Sequence, residues 1–548
     1  MPSSAATLSR IRPWQAVLYA LLLVLLGFGV LYPVLTLLGA PFSRGLEVAT
    51  GVFGALLRSR YYHGVLRNTV VLASVVGAIT TIVAFAAAYA TSRFQIKGMR
   101  ILENIFLLPT ITPPFFFAMS FILLFGRRGL VTYGLLDQQT GAIYGLPGLA
   151  LAQTVAFFPF AYLLLRGLLL RLDASVEEAA VTMGARPTHV LRDVILPLLL
   201  PGIGSAFLLV FLDSLGDLGA PLLLSGRYSV LSSEIYLAII GRFDIPEGAA
   251  LAILLVVPAI GLFVIQRGYL DRRALASVGG RAVQRPVTLG SPGWHLAGTV
   301  LVWSIAGFIV VLYLSIGLAS VTRLWGVDFS VTWNHYQSVF KDGLMILRAT
   351  LILAGIAALL SAVLSTVTGY LVGHLRITGG WLLEALSTLP LAIPGTVVGL
   401  ALAVAFGRDP VILTGTAALI VIGLVARTLS YGTRFAVVAL RQLDRSLTEA
   451  SAVMGATDWQ TFRGLLLPLL RPAIISSLIF NFTRNVVTFS AIIFLVSPRW
   501  NLMTPAIIAA ADSGRLGDAA ALSVLLIAAV LCVVGPTASL VRYRGGFV

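Results

Sequence analysis

Ionisable side chains inside long apolar runs are where this chain can act on something other than its own fold. Asp213 and Asp217 interrupt an apolar run from about 202 to 224, and Arg484, Asn485 and Thr488 interrupt one from about 473 to 496. A charge at the centre of a bilayer costs roughly 2.5 to 3.5 kcal/mol on insertion scales, so such residues face a cavity or one another. Asp213 stands twelve residues after Pro201 and Arg484 twelve after Pro472. That spacing puts each about 18 Å along its helix, near the bilayer middle. The expected chemistry is electrostatic: a facing Asp213 and Arg484 pair at the gate or lining of a translocation path, with two acids against one base mildly favouring cations. Asp217 lies one turn beyond Asp213, Thr488 is its counterpart, and Asn485 adjoins Arg484. The same residues also suit a buried structural network with no cargo contact, and both readings stand.

Other chemistries find no support. His63, His189, His295, His335 and His374 show no metal-ligand spacing, so no metal site is expected and no catalytic residue is assigned. The single cysteine, Cys532, permits neither an intrachain disulfide nor a cysteine-based metal cluster. No G-x-x-x-x-G-K-S/T sequence occurs, so ATP is not bound and split here by that machinery.

Two stretches must position these residues, and they read as one object written twice. The first runs from Ser175 through Glu178-Ala179-Ala180 and Gly184 to Pro197, the second from Ser446 through Glu449-Ala450-Ser451 and Gly455 to Pro468, with every pair 271 residues apart. Each predicts a helix, a turn and a second helix. Ser175 with Glu178, and Ser446 with Glu449, have the spacing of capping boxes. Gly184 and Gly455 supply the positive φ that a helix end favours. Pro187, and Thr457 with Gln460, start the second helices, and Pro197 and Pro468 are expected to close the units. Away from these loops Pro109 and Pro113 match Pro390 and Pro394 at an offset of 281. A net deletion of ten residues between the third and fourth spans of the second half accounts for both offsets. Prolines in an apolar span remove backbone donors and predict kinked, gap-forming helices.

Glu-Ala-Ala, three residues, Gly, then Leu-Pro resembles the "EAA" loop of permease subunits of type I ABC importers. The second copy departs mildly, with Ser451 in place of the second alanine. A chain with both copies resembles a fused permease, in which one polypeptide supplies two halves of a normally dimeric channel. The resemblance implies two copies of an ABC ATPase subunit as partners, holding ATP and Mg, with this chain binding no cofactor. It also implies a periplasmic or extracellular substrate-binding protein. Glu178, Ala179 and Gly184, with Glu449, Ala450 and Gly455, would then form the ATPase-coupling loops. The runs from Ser214 to Pro221 and from Ser490 to Ser497 resemble fused permeases of the ferric iron uptake family. Related permeases for aminoethylphosphonate, thiamine or putrescine stay open as alternatives. Fe(III) prefers oxygen ligands, which Asp213, Asp217 and nearby tyrosines offer.

Composition agrees with a bilayer. Of the 548 residues 58% are hydrophobic and 11% charged, too apolar a balance for a soluble globule. The net charge of +16 does not point to nucleic acid, because its basic residues interleave with apolar spans as positive-inside topology requires. The expected fold is an all-α polytopic membrane protein of about twelve transmembrane helices in two parallel six-helix repeats, the type I ABC importer permease fold. An uncleaved first helix and an even count place both termini in the cytoplasm, in a bacterial inner membrane. The halves are expected at 1–285 and 286–548, joined by a basic linker carrying Arg272, Arg273, Arg281 and Arg285. Their transmembrane cores are expected at about 65–266 and 346–541, with docking loops at 171–201 and 441–472. A secondary transporter also suits twelve helices in two halves, but does not account for the doubled loop.

Overall fold

The computed structural model describes residues 13–43, 45–270, 292–375 and 377–544. Arg272, Arg273, Arg281 and Arg285, and the boundary expected at 285, lie outside them.

Among the described residues eleven helices are long and apolar enough to cross a membrane, and a bent pair, Gly380–Ala392 with Gly395–Ala405 at 111°, makes a twelfth span. They fall in the predicted order, six before the linker and six after it. Besides helix, the described residues form one small antiparallel hairpin, Thr322–Leu324 with Asp328–Val331.

Several boundaries differ from expectation, each for a local reason. The third span is not one kinked helix. Met99–Leu107 gives way to a 3-10 turn over Leu108–Ile111, and a new helix starts at Pro114, because Pro113 and Pro114 cannot donate to the preceding turn. The fifth and eleventh spans stop at Gly216 and Val487, where Asp217 and Thr488 turn extended with ψ of 130° in both halves. Pro197 and Pro468 close nothing. Helices Pro187–Gly216 and Asp458–Val487 run straight through them. In each case a π-turn, Val190–Ile195 or Phe462–Leu466, widens the backbone ahead of the proline, where its ring would otherwise meet a carbonyl. The uninterrupted apolar run of the tenth span stops at Ala426, but its helix continues to Gln442; Arg427 and Arg434 break its hydropathy without breaking its helix.

The chain packs as two units whose membership differs from the sequence halves. One comprises Met1–Ser43, Met345–Met503 and Ala528–Val548, the other Arg44–Leu344 and Thr504–Ile527. The first span therefore belongs with the second-half helices, and the seventh, within Pro292–Ser320, with the first-half helices. In the first of these units Tyr19 donates to the Gly379 carbonyl (3.0 Å) and Phe28 packs on Phe406 at 4.9 Å. Leu22 and Leu26 enter a core with Leu371, Leu383, Leu429 and Leu466. In the other unit Phe106, Phe115, Phe116, Phe117, Phe121 and Tyr162 are fully buried. Tyr313 of the seventh span packs at a tilt on Phe116, ring centroids 4.9 Å apart, and Ser120 donates to the Leu312 carbonyl at 3.1 Å. Gly298 lies so close to Phe94 that a Cβ would fall 2.3 Å from its ring.

Candidate functional site

The two docking stretches fold into the same hairpin. Helix Ala174–Thr182 is capped by Asp173, whose carboxylate accepts the Ser175 N–H at 3.0 Å, and helix Arg445–Val453 by Asp444, which accepts the Ser446 N–H at 3.0 Å. The cap is thus two residues earlier than the expected Ser175 and Ser446 boxes, because a carboxylate accepts more strongly than a hydroxyl. These N–H bonds hold both aspartates below the ordinary carboxylate range. Gly184 and Gly455 end the helices at φ of 86° and 82°. Beyond them Ala185 donates to the Ala180 carbonyl (3.0 Å) and Ala456 to that of Ser451 (3.1 Å), closing a left-handed C-terminal turn. Thr457 and Gln460 form the expected capping box.

Glu178, Ala179, Glu449 and Ala450 are exposed. So are Met183 (83%) and Met454 (81%) at the hairpin tips. Large apolar side chains projecting from the tip of a polar hairpin are surface that association would cover.

Sequence reading missed the residue that anchors the first hairpin. Glu177, 2% exposed, faces inward and takes a two-pronged contact from Arg93 at the end of helix Arg60–Arg93, Nε to Oε2 being 3.0 Å. Arg93 also donates to the Leu169 carbonyl at 3.2 Å, tying the inner ends of two spans to the docking helix. The equivalents in the second half are His374 and Thr448, so the clamp has no ionic counterpart there. The pairing was invisible because Glu177 and Glu178 are alike in sequence and only burial separates them.

Of the ionisable candidates within the spans, Asp217 is the most enclosed, at 6% exposure. Its carboxylate accepts from the N–H groups of Gly219 (3.2 Å) and Ala220 (3.4 Å) and from Gln153 Nε2 (2.9 Å). Ser214 donates to Gln153 Oε1 at 2.6 Å, and Ser232 to the Asp217 carbonyl at 2.7 Å. Asp217 therefore brackets the break and caps the short helix Gly219–Leu224. Asp213 is half-buried one turn earlier. Arg484 is half-buried with its guanidinium 5.9 Å from the Tyr431 ring centroid. Asn485 is buried and donates to the Ala354 carbonyl at 3.4 Å, its Oδ1 having no partner. Thr488 donates to the Arg484 carbonyl at 2.6 Å. Asp213 belongs to one packing unit and Arg484 to the other.

The proline breaks are satisfied differently in the two halves. Thr112 donates to the Leu108 carbonyl (3.1 Å) beside Pro109 and Pro113. At Pro390 and Pro394 the donor is Arg427, whose Nη1 lies 3.2 Å from the carbonyls of both Pro390 and Ile393. Pro394 has no N–H to offer the Pro390 carbonyl four residues earlier, and the guanidinium replaces it. Arg427 and the exposed Arg434 were not singled out from sequence, although their spacing of seven was legible. An arginine facing lipid at the bilayer centre costs roughly 2.5 to 3.5 kcal/mol, and for Arg427 the two carbonyls offset that cost. Among the described residues no group of three or more His, Cys, Asp or Glu could hold a metal ion.

The sequence matches the family described as binding-protein-dependent transport system inner membrane component twice, over residues 81–275 and 365–539. It is 33% identical over 525 residues to the ferric transport system permease protein FbpB of Actinobacillus pleuropneumoniae, covering 94% of this chain and 76% of that protein. A Haemophilus influenzae protein, provisionally named ferric transport system permease protein FbpB 1, is 34% identical over 488 residues, covering 87% of this chain and 77% of its own length. The molybdenum transport system permease protein ModB of Mycobacterium tuberculosis is 34% identical over 212 residues, covering 38% of this chain and 79% of its own length.

Proposed function

The chain belongs to the family of binding-protein-dependent transport system inner membrane components, and we propose that it is the fused permease of an ATP-driven importer of ferric iron. It is a multi-pass membrane protein and a transporter component rather than a catalytic enzyme. The observation that carries the reading is the pair of hairpins with the same helix–turn–helix course, each with an exposed methionine at its tip. Two copies of an ATPase subunit, which hold ATP and Mg, seat one on each hairpin. Both termini then lie in the cytoplasm.

Coupling follows from continuity of helix. Each hairpin leads without interruption into a helix of 30 residues, about 45 Å at 1.5 Å per residue. That helix ends at the Asp217 or Thr488 break. A push on the hairpin tilts the whole rod and is felt at the break, beside Asp213 in one unit and Arg484 in the other. Glu178 and Glu449, exposed on the hairpin helices, meet the ATPase, while Gly184 and Gly455 set the bend. The substrate-binding protein docks at the opposite end, where Phe329, Val331 and Trp333 stand exposed.

The ferric assignment draws on the similarity to the FbpB proteins, which are ferric transport system permease proteins. It is tested by uptake of radiolabelled Fe(III) in cells with and without this chain, with Glu178→Ala/Glu449→Ala as the uncoupled control. Both glutamates are exposed, so the variant folds. Iron uptake that requires the intact glutamates supports the reading. Iron uptake indifferent to the permease removes the substrate, and uptake indifferent to the glutamates removes the coupling role of the loops.

A further inference from the structure

The helix Ala417–Gln442 carries a basic face. Arg427, Arg434 and Arg441 are spaced by seven residues, a step that drifts only about 20° around a helix, so the three lie in one stripe about 21 Å long. Tyr431 shares the stripe, and Arg484 from helix Leu467–Val487 sits over its ring at 5.9 Å. Arg434 and Arg441 are exposed, Arg427 and Arg484 half-buried. The opposite face is buried and apolar or small, with Leu429, Gly432, Ala436 and Leu440.

Positive-inside topology explains Arg441 at the docking end but not the deeper three. Nor does the repeat itself demand them: the equivalent first-half positions are Ala156, Leu163 and Asp213, although Arg427 repairs the proline break of its own half. Helices Gly380–Ala392, Gly395–Ala405, Ala417–Gln442 and Leu467–Val487 together carry five arginines and one carboxylate, Glu384. Whatever Glu384 pairs with, the face stays positive. Asp217, which sequence counting set against it, is spent on capping its own helix break. In this unit the balance is therefore positive, whereas Asp213, Asp217 and Arg484 taken together read as mildly favouring cations.

A bare or hydrated Fe(III) would be repelled by such a face, whereas an oxyanion would be drawn to it by charge-assisted hydrogen bonds from guanidinium groups. We propose that the cargo passes this face with a negatively charged oxyanion shell, ferric iron being carried with phosphate or carboxylate ligands, and that Arg427, Arg434 and Arg484 admit it. The ferric part rests on the function proposed above; the anionic part rests on the arginine face. Arg434 is the discriminating position, because Arg427 also serves the proline break.

The test is double-label uptake in cells expressing the complete importer, with radiolabelled iron supplied with radiolabelled phosphate in one arm and radiolabelled citrate in the other. Entry of iron and one anion in a fixed ratio identifies the shell. Arg434→Gln should lower both labels together by about tenfold, the loss of one charge-assisted contact, and Arg434→Lys should restore most of it at equal membrane abundance. Iron entering without either anion overturns the inference and leaves the ferric reading intact. An anion entering without iron removes the ferric reading and supports an oxyanion cargo. Co-entry unchanged in Arg434→Gln overturns the assignment to this face. Neither label rising above the Glu178→Ala/Glu449→Ala background overturns both.

Discussion

Arg93 and Glu177 are the side chains on which the first docking hairpin depends. Both are buried, at 7% and 2% side-chain exposure, so removing one partner leaves an uncompensated charge. Arg93→Leu should cost about 3 to 5 kcal/mol, whereas Arg93→Leu/Glu177→Leu should recover most of it, measured as thermal unfolding of the detergent-purified protein. A double variant no more stable than Arg93→Leu would show that the pair is not what holds the hairpin. Asp173 and Asp444 predict a pH dependence. Their folded pKa values are depressed, so the cap is fully present above the unfolded carboxylate value of about 3.9. It is lost as pH falls through the lower folded value. Amide protection at Ser175 and Ser446 should hold from neutral pH to about 5 and fall below about 4, and Asp173→Asn should flatten that response at Ser175. At this scale the motif glutamates Glu178 and Glu449 were legible because spacing repeats. Glu177 was not, since its partner lies 84 residues away and only folding brings it near.

Helix breaks are the elements that distinguish this chain from a simple bundle, and each needs its freed carbonyls satisfied. Arg427→Leu would orphan the carbonyls of Pro390 and Ile393, at about 1 to 3 kcal/mol each; lowered thermal stability with unchanged hairpin protection is the expected signature. Close packing supports the same bent pair. A Cβ on Gly399 would fall 2.3 Å from the Ala491 carbonyl oxygen, backbone that cannot step aside, whereas one on Gly184 meets nothing within 4 Å. Gly184→Ala should therefore cost only the left-handed strain of about 1 to 2 kcal/mol, and Gly399→Ala clearly more, read as the difference in unfolding temperature. Proline positions made the breaks themselves legible. The donors that repair them were not, and the arginines supplying them made the tenth span look shorter than it is. A hydropathy scale reads a guanidinium as an end even where it lies on an unbroken helix.

The duplication was plain in the sequence because paired residues kept constant offsets, yet offsets say which helices are equivalent, not which pack together. The first and seventh spans are apolar all round, so neither carries a polar face that would reveal its neighbours. The packing units resolve this, giving the first span to the second-half helices and the seventh to the first-half helices. A consequence can be tested with fragments of similar size. Residues 1–285 contain a complete sequence half but lack the seventh span, and so lack Tyr313, Leu312 and the surface that covers Phe94 and Phe116. Residues 45–344 omit the first span and include the seventh. If packing follows the units, the 45–344 fragment in membranes should be degraded roughly tenfold more slowly by added protease, the ratio that about 1.4 kcal/mol of stability gives. Adding residues 286–548 in trans should protect 1–285, by returning the missing helix. Equal degradation of both fragments would mean that the halves fold as the sequence divides them, and that the seventh span's contacts with Phe94 and Phe116 contribute little.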